Sequence, residues 1–444
     1  MDSKEILARC EKEGVRFLRL SFTDIDGVIK NVEVPSSQFV AALEGTIMFD
    51  GSSIEGFTRI EESDMLLVPD LATFAIYPWA SPVGKVARLV CDIHNPDGTP
   101  FAGCPRLALR SVIARAGKRG WKMMAGSEAE FFLFRTDGNG SPTILTHDAG
   151  KYFDLVPTDL GEETRRDIVS VLETLGFEVE AAHHEVAPGQ HEIDFRYDDA
   201  IVTADNIVTF RFVVKKVALD HGLHATFMPK PLFGQNGSGM HTHQSLFDSR
   251  GRNIFYDPKG PYQLSAVARA YIAGILDHAG AFVAITNPLV NSYKRLVPGF
   301  EAPINLAYSA RNRSASIRIP MYSPSPKAKR LEFRSPDPSC NGYLAFAAML
   351  MAGLDGIESK INPGQPLDKD IYGMTPEELK DIPKMPGSLE EALENLRNDH
   401  AFLLKGDVFT DDVIETWIQY KYDKEVNPVR MRPSPLEFQL YFDI

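Results

Sequence analysis

The sequence lacks a cysteine motif and an apolar run of membrane length, and each absence excludes a class of protein. Only four of its 444 residues are cysteine, and they are scattered without a Cys-x-x-Cys pair. A thiolate zinc site is therefore not expected, and we expect reduced thiols and a cytoplasmic protein. The uncharged run from Gly342 to Leu354 is shorter than the roughly 20 residues that span a bilayer. We interpret it as a core helix.

Positive charge is also scarce, and no long basic run is present. The chain has 47 lysines and arginines against 60 aspartates and glutamates, which gives a formal net charge of −13. This balance argues against nucleic acid or an anionic membrane as the main partner. An anionic substrate would have to be met by arginines concentrated in one place. The stretch MDSKEILARCEKEG predicts a charged amphipathic helix rather than a signal peptide.

The length and the turn signals predict two domains. A chain of 444 residues exceeds one ordinary domain. Proline and glycine are concentrated in NPDGTPFAGCP, so we place a boundary near residue 103, between a small domain (1–103) and a large one (104–444). In the large part, helical segments alternate with polar-faced strands, which predicts an α/β or α+β fold, with antiparallel pairing favoured.

Acidic side chains flank a predicted reversal in HHEVAPGQHEIDF, residues 183–195. Glu185 and Glu192 lie on either side of a Pro188-Gly189 turn, which would bring both acids to one end of a hairpin or loop. Other apparent strands carry polar residues two positions apart, which places both side chains on one strand face. These pairs are Glu128 with Glu130, His241 with His243, and Glu332 with Arg334. Together they predict a polar pocket lined by several strands.

Convergence of these residues would create a site for divalent cations. Several carboxylates brought together without a metal would repel one another and stay partly protonated. Oxygen ligands with one imidazole suit Mg²⁺ or Mn²⁺ better than Zn²⁺. The alternative is that the strands never meet and each pair faces water. The candidate ligands are Glu128, Glu130, Glu185, Glu192, His241 and Glu332.

The segment 294–334 is a basic island in this acidic protein. Arginine side chains in such a cluster can bind carboxylate and phosphate groups through paired hydrogen bonds. A solvated basic face is the alternative. Cations bordered by guanidinium groups are typical of phosphoryl transfer, and the residues alone indicate no more than that reaction class. The basic residues of the island include Arg295, Arg311, Arg313, Arg318, Lys327, Lys329, Arg330 and Arg334.

Long motifs along the chain resemble bacterial type I glutamine synthetase over essentially its whole length. They include MFDGSSIEGF, EAEFFLF, HHEVAPGQHEIDF, NGSGMHTHQSL, NSYKRLVPGFEAP and KRLEFRSPDPSCNGYL. The resemblance implies an α+β fold: a small β-grasp-like domain and a large catalytic domain with a curved, largely antiparallel sheet flanked by helices. It also implies a reaction in which ATP phosphorylates the γ-carboxylate of glutamate and ammonia then displaces the phosphate.

The resemblance also implies roles for individual residues. Glu130, Glu185 and Glu192 would hold one Mg²⁺ or Mn²⁺, and Glu128, His241 and Glu332 the second. Asp50 would bind ammonium and help to deprotonate it, assisted by Tyr152 and Glu185, and Glu301 would close the site against water. Glutamate and the transferred phosphate would contact Asn236, Gly237, Arg295, Arg313 and Arg334. ATP would contact His243, Ser245, Arg318 and Lys327.

Assembly and regulation are further expectations from the resemblance. Asp50 would come from the neighbouring subunit, which implies a homo-oligomer, expected to be a dodecamer of two stacked hexameric rings. The short interval between Glu130 and Glu185 is similar to the alpha subtype, so Tyr372 is expected to stay unmodified. Arg59 would serve feedback inhibition by glutamine, and the glutamine-bound enzyme would contact nitrogen-regulating transcription factors.

Three other functions remain as alternatives. The nearest is a γ-glutamyl ligase of the same fold that uses a polyamine or another amine, although Asp50 and Glu301 favour ammonia. A catalytically silent relative should lack metal ligands or phosphate-binding arginines, and this sequence lacks none of them. A metal-binding barrel protein without ATP chemistry would leave the basic island unexplained.

Overall fold

The fold consists of three sheets with helices packed on them. The computed structural model describes residues 1–52, 54, 64–79, 82–300, 302–312, 314–321, 325–368, 374–375, 380 and 382–444. The strands are β1 (Val15–Thr23), β2 (Ile29–Pro35), β3 (Ile47–Asp50), β4 (Asp64–Ile76), β5 (Lys85–His94), β6 (Trp121–Ala129), β7 (Phe131–Thr136), β8 (Pro142–Thr146), β9 (Val179–His184), β10 (Gln190–Phe195), β11 (Asp198–Asp199), β12 (Leu223–Thr226), β13 (Met240–Asp248), β14 (Asn305–Ser309), β15 (Ala315–Arg318) and β16 (Leu331–Phe333).

Helices cover the faces of these sheets and form the core of the large part. Within the described residues they are α1 (Ser3–Glu13), α2 (Phe39–Leu43), α3 (Pro105–Gly117), α4 (Glu162–Thr174), α5 (Ala200–Asp220), α6 (Ala266–Thr286), α7 (Ser292–Arg295), α8 (Gly342–Ser359), α9 (Leu389–Asn398), α10 (Ala401–Leu404), α11 (Asp411–Lys421), α12 (Asn427–Arg430) and α13 (Pro435–Tyr441).

The first sheet has the strand order β2-β1-β5-β4-β3 and is built from residues 15–94. Its central pair, β1 and β5, is parallel, and the outer pairs are antiparallel. Helices α1 and α2 pack on one face and close a separate apolar core around Ile6, Leu18, Leu67 and Leu89. This arrangement confirms the β-grasp-like small domain. The boundary near residue 103 falls between β5 and α3, and the division at that residue stays a prediction.

The other two sheets belong to the large part of the chain. One has the order β12-β7-β10-β9, with β8 paired to β7, and the other has the order β11-β6-β13-β16-β15-β14. Within the described residues, the paired strands of these two sheets are antiparallel except β14 with β15, which confirms the largely antiparallel pattern. Strands β6 and β7 belong to different sheets and are separated by Glu130 alone. The two sheets therefore meet at this residue.

Two apolar helices, α6 and α8, form the centre of the large core. A Cβ atom on Gly274 of α6 would lie 2.1 Å from the carbonyl oxygen of Ala352 in α8, so glycine allows the two backbones to approach closely. Helix α8 confirms the predicted core helix and is buried over most of its length. Helix α6 was not predicted from the sequence. By length and composition α6 could cross a membrane, but 72% of its most apolar window is buried inside the protein.

Buried ionic contacts join the small sheet to the large part. Arg106 of α3 is 2% exposed and donates hydrogen bonds to Asp70 (2.8 Å), Asp92 (2.9 Å) and Asp205 (2.8 Å). The three carboxylates belong to β4, β5 and α5, so one guanidinium holds three elements together. Asn341, at the start of α8, also donates to the carbonyl oxygen of Asp24 at 3.2 Å.

Replacing Arg106 with leucine should destabilise the protein strongly, because Asp205 and its neighbours would remain buried without their cation. Loss of one partner from a buried ion pair typically costs about 3–5 kcal/mol. Thermal unfolding should show a lowered midpoint. Arg196→Leu is the control, since Arg196 pairs with Glu178 at the surface, where the two side chains are 53% and 65% exposed. Equal thermal midpoints for the two variants would contradict the role of Arg106 in joining the small sheet to the large part.

Candidate active site

A polar cavity of about 410 Å³ lies where the two large sheets meet. The strands that carry the predicted pairs therefore do converge, and the alternative in which each pair faces water separately is wrong. Of the residues predicted for the site, those that line the cavity are Glu128, Glu130, Tyr152, Glu185, Glu192, Asn236, Gly237, His241, Arg295, Arg318, Glu332 and Arg334.

The predicted reversal at Pro188-Gly189 is confirmed. Strands β9 and β10 are antiparallel, and their register places His184 opposite His191. Gly189 has φ of 68°, a conformation that glycine adopts without steric cost. The backbone N–H of Glu185 donates to the carbonyl oxygen of Gln190 at 2.7 Å and closes the end of the hairpin. This closure holds Glu185 and Glu192 on the cavity side.

One group of candidate ligands consists of Glu128, His241 and Glu332. Strand β13 lies between β6 and β16, and its register places His241 beside Glu128. The Nδ1 atom of His241 lies 3.2 Å from Glu128 Oε2 and 4.0 Å from Glu332 Oε1. One ligand atom from each residue lies within 4.8 Å of the others. An ion placed among them would reach all three side chains.

The electrostatic surroundings keep the side chains of this first group in the protonation states that bind a cation. Burial and the neighbouring Arg334 lower the pKa of His241 to about 4, so its imidazole is neutral at pH 7. Burial opposes the ionisation of Glu128, but hydrogen bonds from His241 and His243 outweigh it and hold the pKa of Glu128 well below its usual range. Burial likewise opposes the ionisation of Glu332, yet His243, Arg334 and His241 lower its pKa. Ionised carboxylates and a neutral imidazole are the forms that ligate metal.

The second group lies at the hairpin and has the opposite character. Burial and repulsion from Glu185 and Glu192 raise the pKa of Glu130 well above its usual value. Burial and the charges of Asp194, Glu128 and Glu185 do the same to the pKa of Glu192. Burial raises the pKa of Glu185 as well. A divalent cation would relieve this repulsion, so the donor set fits Mg²⁺ or Mn²⁺.

The closest ligand atoms in this second group differ from the predicted trio. His183, Glu185 and Glu192 each offer an atom within 4.8 Å of the others. The Glu130 carboxylate instead accepts hydrogen bonds from Gln190 Nε2 at 2.8 Å and from the backbone N–H of Gly239 at 2.9 Å. Glu130 still lines the same cavity. The assignment of Glu130 with Glu185 and Glu192 to one ion therefore stays a prediction.

Three polar residues of the site were missed from the sequence, and only one of them, Asp194, had a signal. His183 lies directly opposite Glu192 in the hairpin register, and its Nε2 is 3.2 Å from Glu192 Oε1. Counting outward from the Pro188-Gly189 turn would have paired Glu192 with Glu185 instead, because the observed register is offset by two residues. Asp194 lies two residues beyond Glu192 on one strand face and also lines the cavity. Gln190, which contacts Glu130, had no comparable signal.

Arginine side chains border the first group of ligands. Arg318 Nη1 donates to Glu332 Oε2 at 2.6 Å, and Arg334 donates to the other oxygen of the same carboxylate. Arg334 Nε is buried and has no hydrogen-bond partner among the described residues. Arg295 is buried and donates to the backbone carbonyl oxygen of Ser335 at 2.7 Å. The cavity therefore presents guanidinium groups beside its carboxylates, as the basic island predicted.

A second cavity of about 520 Å³ adjoins the first and shares Glu128 and Asp194 with it. His243, Ser245 and Lys327, all predicted to contact ATP, line this second cavity. His243 Nε2 lies 2.7 Å from Glu128 Oε1, and its Nδ1 accepts a hydrogen bond from Arg330 Nε at 3.1 Å. Part of the wall is apolar and comes from Met124, Ala125, Phe195 and Tyr197.

The structure does not bring every predicted residue to these cavities. Asp50 ends β3 in the small sheet, is exposed, and accepts hydrogen bonds from the backbone N–H of Ser52 at 2.9 Å and from its hydroxyl at 2.6 Å. It is not among the described residues that line the first cavity. Four other predicted residues, Arg59, Glu301, Arg313 and Tyr372, lie outside the described part of the chain.

Comparison with known proteins decides which family has this site. Residues 14–96 match the family model described as glutamine synthetase, beta-Grasp domain, and residues 102–441 match glutamine synthetase, catalytic domain. The chain belongs to the glutamine synthetase family. It is 61% identical over 401 residues to a glutamine synthetase of Thermus thermophilus, with 89% of each chain covered. It is 53% identical over 412 residues to that of Thermotoga maritima, with 92% of each covered.

Solved structures of similar proteins share the architecture over nearly the whole chain. Plasmodium falciparum glutamine synthetase superposes with a TM-score of 0.88 at 28% identity and covers 99% of both chains. A GmaS/ADP complex gives the same TM-score and coverage at 33% identity. The resemblance read from the motifs, and the α+β fold that it implied, are confirmed.

Removing divalent metal from this glutamine synthetase site should make stability depend on pH. A carboxyl group whose pKa is raised on folding binds more protons in the folded state. Its contribution to the free energy of unfolding is therefore lost as pH rises above about 4.3, the pKa of glutamate in the unfolded chain. Glu130, Glu185 and Glu192 behave in this way. Bound Mn²⁺ would oppose the loss because it binds the ionised forms. The thermal midpoint with Mn²⁺ minus that with EDTA should therefore grow between about pH 5 and pH 7.5.

Glu128 and Glu332 do not change this expectation. Their pKa values are lowered on folding, so their contribution to stability is lost only as pH falls below the usual glutamate range. A difference between the two midpoints that stays constant, or shrinks as pH rises, would contradict the electrostatic description of the second group.

Proposed function

We propose that this chain catalyses the ATP-dependent ligation of ammonia to L-glutamate, with L-glutamine, ADP and phosphate as products. ATP transfers its γ-phosphoryl group to the γ-carboxylate of glutamate, and ammonia then displaces phosphate from γ-glutamyl phosphate. The observation that carries the proposal is the meeting of two groups of cation ligands with guanidinium side chains in one cavity beside a second cavity. The family uses ATP and divalent metals, and its curated relatives are named glutamine synthetase.

The metal ligands and arginines divide the work of phosphoryl transfer. Mg²⁺ or Mn²⁺, when bound by the two groups, supplies positive charge that neutralises phosphate and carboxylate oxygens. Arg334 and Arg318 flank Glu332 and would contact the transferred phosphoryl group and the nucleotide phosphates. Arg295 would bind a carboxylate of glutamate. Its buried position fixes the orientation of its guanidinium group. Arg313, placed by resemblance alone, would add charge on the transferred phosphate.

The ammonium pocket would form beside the hairpin. Glu185 faces the cavity, where its carboxylate would attract ammonium and could accept a proton from it. Tyr152 is half exposed beside it, with its ring 5.6 Å from that of His183. Asp50 would complete the pocket, and Glu301 would cover it. Exclusion of water protects the acyl phosphate from hydrolysis.

A homo-oligomer explains why Asp50 lies away from the cavity within one chain. The exposed end of β3 would enter the site of a neighbouring subunit, and we propose two stacked hexameric rings. Regulation is proposed from resemblance: glutamine would inhibit through Arg59, and transcription factors of nitrogen control would bind the inhibited form. A cytoplasmic location and an unmodified Tyr372 also stay predictions.

Phosphate release from ATP tests the substrates. Glutamate with ammonium should support turnover, whereas glutamate with putrescine should not. Glu185→Gln should reduce turnover at least about 100-fold, because it removes an anionic ligand and the base. Glu178→Gln is the matched control, since Glu178 is exposed and pairs with Arg196 outside the cavity. Turnover with glutamate and putrescine, but not with glutamate and ammonium, would favour the amine ligase over the ammonia ligase.

Mixing two inactive variants tests the shared site. Asp50→Ala and Glu332→Gln should each be inactive, because each removes one half of the proposed site. Co-assembled randomly in equal amounts, they should regain about a quarter of the wild-type sites, since each site combines two subunits. Activity should be measured after co-expression and after mixing without subunit exchange, which serves as the control. No recovery in co-assembled rings would contradict the placement of Asp50.

A further inference from the structure

Behind the hairpin lies a buried carboxylate that the proposed reaction does not use. The Asp148 side chain is 0% exposed. Its Oδ1 accepts hydrogen bonds from the backbone N–H of Gly189 at 2.8 Å, the backbone N–H of Gly150 at 3.2 Å and His184 Nε2 at 3.0 Å. Its Oδ2 accepts from the backbone N–H of Leu160 at 3.1 Å. A buried carboxylate with this many donors is fixed in position.

These donors come from two segments that both reach the cavity. Gly189 is the turn of the hairpin, whereas Gly150 and Leu160 belong to residues 147–161, the loop that carries Tyr152. A Cβ atom on Gly150 would lie 2.5 Å from His184 Nε2, so the loop packs directly on that ring. The backbone N–H of Phe153 donates to the carbonyl oxygen of His184 at 3.1 Å. Asp148 therefore joins the Tyr152 loop to the hairpin.

His184 extends this connection to Glu185 itself. The Nδ1 atom of His184 lies 2.6 Å from the carbonyl oxygen of Glu185. A carbonyl oxygen can only accept, so Nδ1 is the donor. The ring donates through both nitrogens, as an imidazolium, and is held between the Asp148 carboxylate and the backbone of a candidate cation ligand. Displacement of Asp148 would free the His184 ring from Asp148 and from the carbonyl oxygen of Glu185.

By distance alone, Asp148, His184 and His191 could hold an ion of their own. Their hydrogen bonds argue against it. Both ring nitrogens of His184 are engaged. Arg165 Nη1 donates to His191 Nδ1 at 2.8 Å, so the ring proton of His191 lies on Nε2 and leaves no lone pair there for a metal.

We propose that Asp148 is a positioning residue that holds the Tyr152 loop against the hairpin and keeps Glu185 in place for cation binding. The inference deepens the proposed function and rests on it for the part that Tyr152 plays toward ammonium. The effect on cation binding does not depend on which substrates are used. Outer partners of metal ligands commonly change metal affinity about 10–100-fold when they are replaced.

The test is Mn²⁺ binding to the complete oligomer without nucleotide, followed by electron paramagnetic resonance of free Mn²⁺. Asp148→Asn keeps the size of the side chain but removes its charge and one acceptor oxygen. One of two ions should bind at least about 10-fold more weakly, and the other should be unchanged. In turnover assays, KM for ammonium should rise about as much, while KM for ATP stays within about twofold.

Asp355→Asn is the matched control. Asp355 also pairs with a histidine, with Oδ2 3.3 Å from His278 Nε2, and it lies outside the cavity. This control should lower the thermal midpoint and leave Mn²⁺ binding and the KM values unchanged. Unchanged Mn²⁺ binding in Asp148→Asn, or equal weakening of both ions, would overturn the proposal.

A second variant covers the case in which Asp148→Asn does not assemble. Gly150→Ala keeps Asp148 but pushes the loop away from His184, so it should weaken the same ion, and wild-type binding would overturn the proposal. The proposed function can fail separately. Wild-type protein that shows no turnover with glutamate, ammonium and ATP would refute the function, while Mn²⁺ binding would still decide the role of Asp148.

Discussion

The repulsion among buried carboxylates is the constraint on which the rest of the site depends. Backbone pairing holds Glu130, Glu185 and Glu192 close together although their carboxylates repel one another. The hairpin fixes two of them, and the junction between two sheets fixes the third. Their raised pKa values report the energetic cost of this placement. Because the fold holds these like charges close together, binding of a divalent cation would relieve their repulsion.

The two groups of ligands differ in a way that suits two tasks. Glu128 and Glu332 are surrounded by histidine and arginine side chains, so they stay ionised whether or not a cation is bound. The acids at the hairpin have fewer positive neighbours, so burial and mutual repulsion raise their pKa values, and a bound cation would favour their ionised forms. The first group lies beside the second cavity and the arginines, where phosphate would bind. The hairpin group faces the Tyr152 loop, where ammonium would bind.

Much of this could be predicted from the sequence because it depends on local periodicity. Alternation along strands placed His241 with His243 on one face, and the Pro188-Gly189 turn predicted the hairpin. The partition of ligands could not be predicted from periodicity and came only from the family resemblance, because it depends on β13 lying between β6 and β16, strands that are far apart in the chain. Glu130 shows the limit clearly: its i, i+2 spacing to Glu128 suggested one strand face. In the structure it lies just past the end of β6, where the chain passes to another sheet. Helix α6 was missed because it is apolar on nearly every side and has no clear amphipathic period.

The most direct test of the central claim is anomalous diffraction from crystals of the complete oligomer soaked with Mn²⁺ and no nucleotide. Two peaks per chain should appear in the cavity of about 410 Å³, one among Glu128, His241 and Glu332 and one touching Glu185 and Glu192. The account would be contradicted by a single peak shared by all the acids, or by a peak at Asp148 and His184 with none beside the hairpin acids.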